Sequence, residues 1–105
     1  MKISGKTQIL GIIGNPVEHS LSPVMHNALL KAEMMDMIYI PFKIENSDLK
    51  QAILGLKALN VVGFNVTIPF KRSIIPYLDK VDSSANLIGA VNTVKNQNGK
   101  LIGRN

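Results

Sequence analysis

Three clusters of polar residues stand out against an otherwise apolar chain. Gly14-Asn-Pro-Val-Glu-His-Ser-Leu-Ser-Pro23 sets Ser20 and Ser22 two residues apart, directly before a proline that opens a helical pattern. Hydroxyls in that position, together with unpaired backbone N–H groups and the positive end of a helix, suit a carboxylate or a phosphate. A plainer reading is equally open, with Ser22 as the helix N-cap and Ser20 as a loop residue. The second cluster is Phe64-Asn-Val-Thr-Ile-Pro-Phe-Lys71. In an extended strand Asn65 and Thr67 project to one side and Val66 to the other, so two hydrogen-bonding side chains emerge together. Lys71 follows two residues after Pro69. A lysine in a partly dry cleft is poised to give or take a proton, whereas a solvated lysine is only surface charge; local sequence leaves both open. The third candidate is Asn92 within Ala90-Val-Asn-Thr93, a neutral donor and acceptor among apolar neighbours that also reads as an edge or turn asparagine.

Placing these groups requires a scaffold, and the apolar pattern supplies one. Gln8–Ile13 is a nearly continuous apolar run closed by Gly14-Asn-Pro16, the signature of a buried strand ending in a turn. Pro23 to about Met35 carries Val24, Leu29, Leu30 and Met34 at helical spacing, with Pro23 in the first turn. Met37–Phe42 reads as a second strand, and Pro41, which cannot donate to a ladder, assigns it to a sheet edge. A helix capped by Asn46 or Ser47 follows, with Leu49, Ile53, Leu56 and Leu59 on one face. Val61–Thr67 is a third strand, residues 71–78 and 83–88 read as short helical pieces, and residues 90–95 and 100–103 form a hairpin around Asn98-Gly99. Strands alternating with helices predict an α/β fold: a three-layer sandwich around a mostly parallel mixed sheet ending in an antiparallel hairpin. In such sheets ligands collect at the carboxyl ends of the strands, where the Ser20/Ser22 and Asn65/Thr67/Lys71 loops both fall.

The 105 residues amount to one domain, with 46% hydrophobic content and no cysteine, which excludes a disulfide framework, thiolate metal sites and a thiol nucleophile. His19 and His26 have no carboxylates at ligand spacing, so no metal site is expected. The net charge of +5 favours anionic partners, but the basic residues are scattered, with no run longer than two and no stacking motif, which argues against nucleic acid. No apolar stretch reaches the roughly 18 residues of a membrane span and no signal sequence is evident, so no membrane partner and a cytoplasmic location are expected. Gly11-Ile-Ile-Gly14 is not the glycine pattern of a dinucleotide loop, and no phosphate-binding Walker sequence occurs.

Taken together, Gly14–Asn27, Gly63–Lys71 and Ile88–Thr93 resemble, in order and spacing, the N-terminal substrate-binding domain of the shikimate dehydrogenases. The resemblance covers essentially the whole chain. It implies the reversible NADPH-dependent reduction of 3-dehydroshikimate to shikimate in aromatic amino-acid biosynthesis. It also implies roles: Ser20 and Ser22 on the substrate carboxylate, Asn65, Thr67 and Asn92 on its ring hydroxyls, and Lys71 as the acid–base group. An ammonium beside a ketone that is becoming an alkoxide can stabilise the charge and donate the proton, so the chemistry agrees with the residue types.

Gly103-Arg104-Asn105 resembles the start of the family's Gly-x-Asn-Thr-Asp-Gly motif, whose aspartate partners the lysine. The Rossmann unit that holds NADP in the related enzymes has no counterpart in these 105 residues. The expectation is therefore a substrate-binding piece of a larger enzyme, inactive alone, with NADP bound by a second domain. A stand-alone module for a small hydroxylated carboxylate is the alternative, and a homodimer formed through exposed apolar surface is a further expectation.

Overall fold

The computed structural model describes residues 2–105. Strand β1, Gln8–Gly14, lies at the centre of the sheet's parallel half and is buried from Gly11 to Gly14, as its continuous apolar run requires. Helix α1, Ser22–Ala32, returns the chain to β2, Met37–Lys43. A 3-10 turn at Asn46–Asp48 leads into α2, Leu49–Ala58, and then β3, Gly63–Val66. Beyond a second 3-10 turn at Ile75–Tyr77 come β4, Lys80–Val81, and α3, Ser83–Ile88. The hairpin β5, Thr93–Gln97, and β6, Lys100–Arg104, closes the fold. Its turn has Asn98 at φ 53° and Gly99 at φ 87°, the left-handed conformations that an Asn-Gly pair accommodates.

Among the described residues the six strands make one mixed sheet in the order β2-β1-β3-β5-β6-β4. The β1–β2, β1–β3 and β4–β6 pairings are parallel, while β3–β5 and β5–β6 are antiparallel. The expected mostly parallel sheet with a terminal hairpin is present, and β2, with Pro41, is an edge strand as read from the sequence.

Side-chain alternation divides the core in two. Ile13, Phe64, Val66, Val94 and Leu101 face α2 and α3, against Leu49, Ile53, Leu56 and Ala85. Ile12 and Tyr39 face the other way, against Leu30 of α1. Helices on both faces give the three layers, although α1 packs against β1 and β2. A bond pair fixes α1 in place: Asn27 Nδ2 donates to the Tyr39 carbonyl at 2.9 Å, and Tyr39 N–H donates to Asn27 Oδ1 at 2.8 Å.

Several boundaries differ from the sequence reading. The third strand is shorter, because Val61 N–H is engaged by the Leu56 carbonyl in the turn that ends α2. Residues 71–78 contain turns and the Ile75–Tyr77 3-10 segment rather than a helix, in keeping with Pro76 in their midst. The α2 start moves past Asn46 and Ser47 to Leu49, with Asp48 at the cap position and no side-chain cap bond.

Candidate functional site

Two loops and two strand ends meet at the carboxyl edge of β1 and β3. They are stitched by backbone bonds: Thr67 N–H to the Ile13 carbonyl at 3.0 Å and Asn15 N–H to the Ile68 carbonyl at 3.0 Å. Gly14 makes this approach feasible, since a Cβ there would collide with Thr67 Cγ2 and fall 3.1 Å from the Ile68 carbonyl oxygen. Each loop also carries a cis peptide bond, Asn15–Pro16 and Ile68–Pro69.

Ser20 Oγ accepts the Ser22 N–H at 3.2 Å, so Ser20 steadies the first residue of α1. Ser22 is not the N-cap: Leu21 occupies that position and no side chain caps the helix. The Ser22 hydroxyl instead lies beside Tyr39. Burial pushes the Tyr39 phenol above its ordinary pKa, and the hydrogen bond from Ser22 opposes that shift without cancelling it.

From Tyr39 a chain of hydrogen bonds crosses three strands. The Tyr39 hydroxyl donates to Asn65 Oδ1 at 2.7 Å, and Asn65 Nδ2 donates to Thr93 Oγ1 at 3.3 Å. Thr93 Oγ1 donates to Asn92 Oδ1 at 3.0 Å, and Asn92 Nδ2 donates to Asn105 Oδ1 at 3.3 Å. Asn105 Nδ2 ends the series on the Ala90 carbonyl at 3.1 Å. Every link donates in the same direction. Behind Tyr39 the His26 ring stacks with centroids 4.3 Å apart and planes 11° from parallel.

Thr67 and Lys71 flank this network. Thr67 lies one residue past β3 with its methyl against Gly14, on the side that Ile12 and Asn65 share, as alternation requires. Lys71 has its backbone pinned, its carbonyl accepting Val91 N–H at 2.8 Å, while its side chain is exposed. The partly dry cleft that the sequence reading allowed for Lys71 is thus not formed by these residues, and the lysine stands at the open edge of the site. The structure joins Asn65 and Asn92 in one network headed by Tyr39, places Ser22 near Tyr39, sets Thr67 and Lys71 beside the network, and gives Ser20 a supporting bond.

A cavity of about 350 Å3 opens next to the network, with His26, Tyr39, Asn65, Thr93, Lys95 and Arg104 among its lining. Of the six residues picked out by sequence, Asn65 alone lines it. A larger hollow of about 550 Å3 lies at the far end of α1 between Lys31, Met34, Met35 and Met37. None of the six residues reaches it. Sequence reasoning missed Tyr39, Thr93 and Asn105. Thr93 was legible as the neighbour of Asn92, and Asn105 as part of Gly103-Arg104-Asn105; Tyr39 had no local signal.

A layered α/β domain with a hydroxyl- and amide-lined site at the carboxyl edge of its sheet belongs, as a class, to the small-molecule-binding α/β domains. Residues 12–94 match the family described as the shikimate dehydrogenase substrate binding domain, and the chain belongs to that family. It is 56% identical over 105 residues to the shikimate dehydrogenase (NADP(+)) of Geobacter metallireducens, covering 100% of this chain and 37% of that protein. The structure of shikimate dehydrogenase from Aquifex aeolicus superimposes with a TM-score of 0.96 at 53% identity, covering 99% of this chain and 39% of that one. A shikimate 5-dehydrogenase from Listeria monocytogenes, in complex with shikimate and NAD, gives a TM-score of 0.95 at 42% identity over 99% of this chain and 36% of that one. The chain thus spans little more than a third of the length of the relatives it matches.

Proposed function

We propose that this chain forms the substrate-binding part of an NADP-dependent shikimate dehydrogenase, acting in the reversible reduction of 3-dehydroshikimate to shikimate in aromatic amino-acid biosynthesis. The observation that carries the reading is the hydrogen-bonded array linking Tyr39, Asn65, Thr93 and Asn92 at the carboxyl edge, with Ser22, Thr67 and Lys71 beside it. Shikimate presents a carboxylate and ring hydroxyls, and this edge presents hydroxyls, carboxamides and an ammonium. The Listeria relative with shikimate bound supports the match.

In this reading Ser20 and Ser22 donate to the carboxylate at the start of α1, where the helix dipole favours negative charge. Asn65, Thr67 and Asn92 bind the ring hydroxyls and fix the ring's orientation. Lys71 gives its proton to the reacting oxygen as that oxygen gains negative charge, and takes it back in the reverse direction. The residues described do not fit NADP: no glycine-rich strand–turn–helix occurs among them, and Gly14 leads into a seven-residue stretch before α1 rather than a tight phosphate turn. The work of this chain is to hold the substrate and move a proton, with the dinucleotide seated outside these residues in a second domain. The same reading places the protein in the cytoplasm and includes a homodimer, which sedimentation at several concentrations would reveal.

Calorimetric titration with shikimate tests the assignment. The 105-residue chain should bind weakly, and Ser22→Ala and Lys71→Ala should each weaken binding by about ten- to a hundredfold, the range for hydrogen bonds to charged groups. Shikimate and NADP mixed with this chain should yield no reduced cofactor by absorbance. Tight binding of another hydroxylated acid with no response to shikimate would favour a stand-alone binding module instead.

A further inference from the structure

Tyr39 is absent from the substrate roles just given, yet the site is built around it. It is 3% exposed, sits on the edge strand β2, and reaches across β1 to Asn65 on β3. A carboxamide has two ends of opposite character, and which end faces a ligand decides whether it donates or accepts there. With the Tyr39 hydroxyl donating to Asn65 Oδ1, the oxygen is occupied and the Nδ2 group is turned toward Thr93. One Nδ2 proton meets Thr93 Oγ1, and the second is left for a ligand. Because each later link donates onward, the same choice propagates through Thr93 to Asn92, whose Oδ1 is occupied and whose Nδ2 faces Asn105.

We propose that Tyr39 is a positioning residue of the substrate site: its hydroxyl sets the amide orientation of Asn65 and, through Thr93, that of Asn92, so that both asparagines present N–H donors to the ring oxygens of a bound polyol acid. The inference rests on the proposed substrate site for its ligand, but its structural half stands without it. The stacked His26 ring and the burial of the phenol hold the hydroxyl in one place.

The experiment is Tyr39→Phe in the 105-residue chain, read by side-chain amide NMR and by shikimate titration. The phenyl ring keeps the packing and removes one hydroxyl. The Asn65 and Asn92 side-chain amide signals should shift or split into two orientations while core methyl signals from Ile13, Ile53 and Leu101 stay in place, and shikimate affinity should fall about five- to tenfold. Unmoved Asn65 and Asn92 amides overturn the proposal, whatever happens to binding. Moved amides in a chain whose wild type ignores shikimate uphold the positioning role while removing the substrate assignment. If Tyr39→Phe fails to fold, Thr93→Val gives a second reading: it cuts the chain after Asn65, so the Asn92 amide should move, and an unmoved Asn92 amide refutes the relay.

Discussion

Phe70 and Lys71 are neighbours with opposite environments, and the contrast explains how an exposed side chain is held in place. Phe70 is 0% exposed and part of the main core, while Lys71 stands in solvent with its carbonyl bonded to Val91 N–H. The buried ring anchors the backbone from which the lysine projects. Phe70→Ala should cost about 3–5 kcal/mol of unfolding free energy, the range for emptying a buried aromatic site, measurable by denaturant titration. Gly14 plays the complementary part. Gly14→Ala should destabilise by about 1–3 kcal/mol, as overpacking does, with the largest chemical-shift changes at Thr67 and Ile68, because the added carbon meets both. At this scale the sequence draws attention where a residue type is unusual for its setting: paired serines before a helix, a lysine behind a proline, an asparagine in an apolar run. Tyr39 escaped notice because a tyrosine in a strand is ordinary; its importance comes from partners 12 and 26 positions away, which only the tertiary fold brings near.

Elements with a clear period were legible and those without one were not. Helices α1, α2 and α3 and strands β1, β2 and β6 fall close to where apolar spacing, Pro41 and the Asn-Gly turn put them. β4 is two residues long, too short for any pattern, and β5 starts at Thr93 rather than Ala90 because Val91 N–H is bonded to Lys71 and not to a strand. Asp79 ties these less regular pieces together: its Oδ2 accepts Leu101 N–H at 2.7 Å and Lys57 Nζ at 3.2 Å. The Leu101 bond first, then the Lys57 bond, hold its carboxyl below the usual range against the opposing effect of desolvation. A lowered folded-state pKa means that the ionised form stabilises the fold above the ordinary carboxylate range of about 4, and that this contribution is lost as pH falls through the lowered pKa. Asp79→Ala should therefore melt below wild type at neutral pH, with the gap closing in acid, as thermal melts at several pH values would record.

Across the whole molecule the two faces of the sheet are covered unevenly, and α1 shows it. Its inner side meets Ile12 and Tyr39 through Leu30, but Leu21, Val24, Met25 and Leu29 are 71%, 71%, 67% and 60% exposed. Apolar residues that bury little contribute little to folding, so Met25→Lys should leave the unfolding free energy within about 0.5 kcal/mol of wild type by denaturant titration. The layer architecture was readable from alternating strands and helices; the uneven coverage was not, because α1 is apolar on more than the side it buries. Among the described residues no helix is long and apolar enough to cross a membrane.

The Asn27 clasp on Tyr39 bears on how molecules of this protein meet one another. β2 is the sheet's long outer strand, and an outer strand normally offers free N–H and C=O groups that a foreign strand can pair with. Here both outward groups of Tyr39 are already taken by a side-chain amide, and Pro41, two residues on, has no N–H to offer. At the opposite border β4 presents a two-residue strand. The sheet is finished at both sides, which guards the chain against strand-by-strand growth into fibrous aggregates.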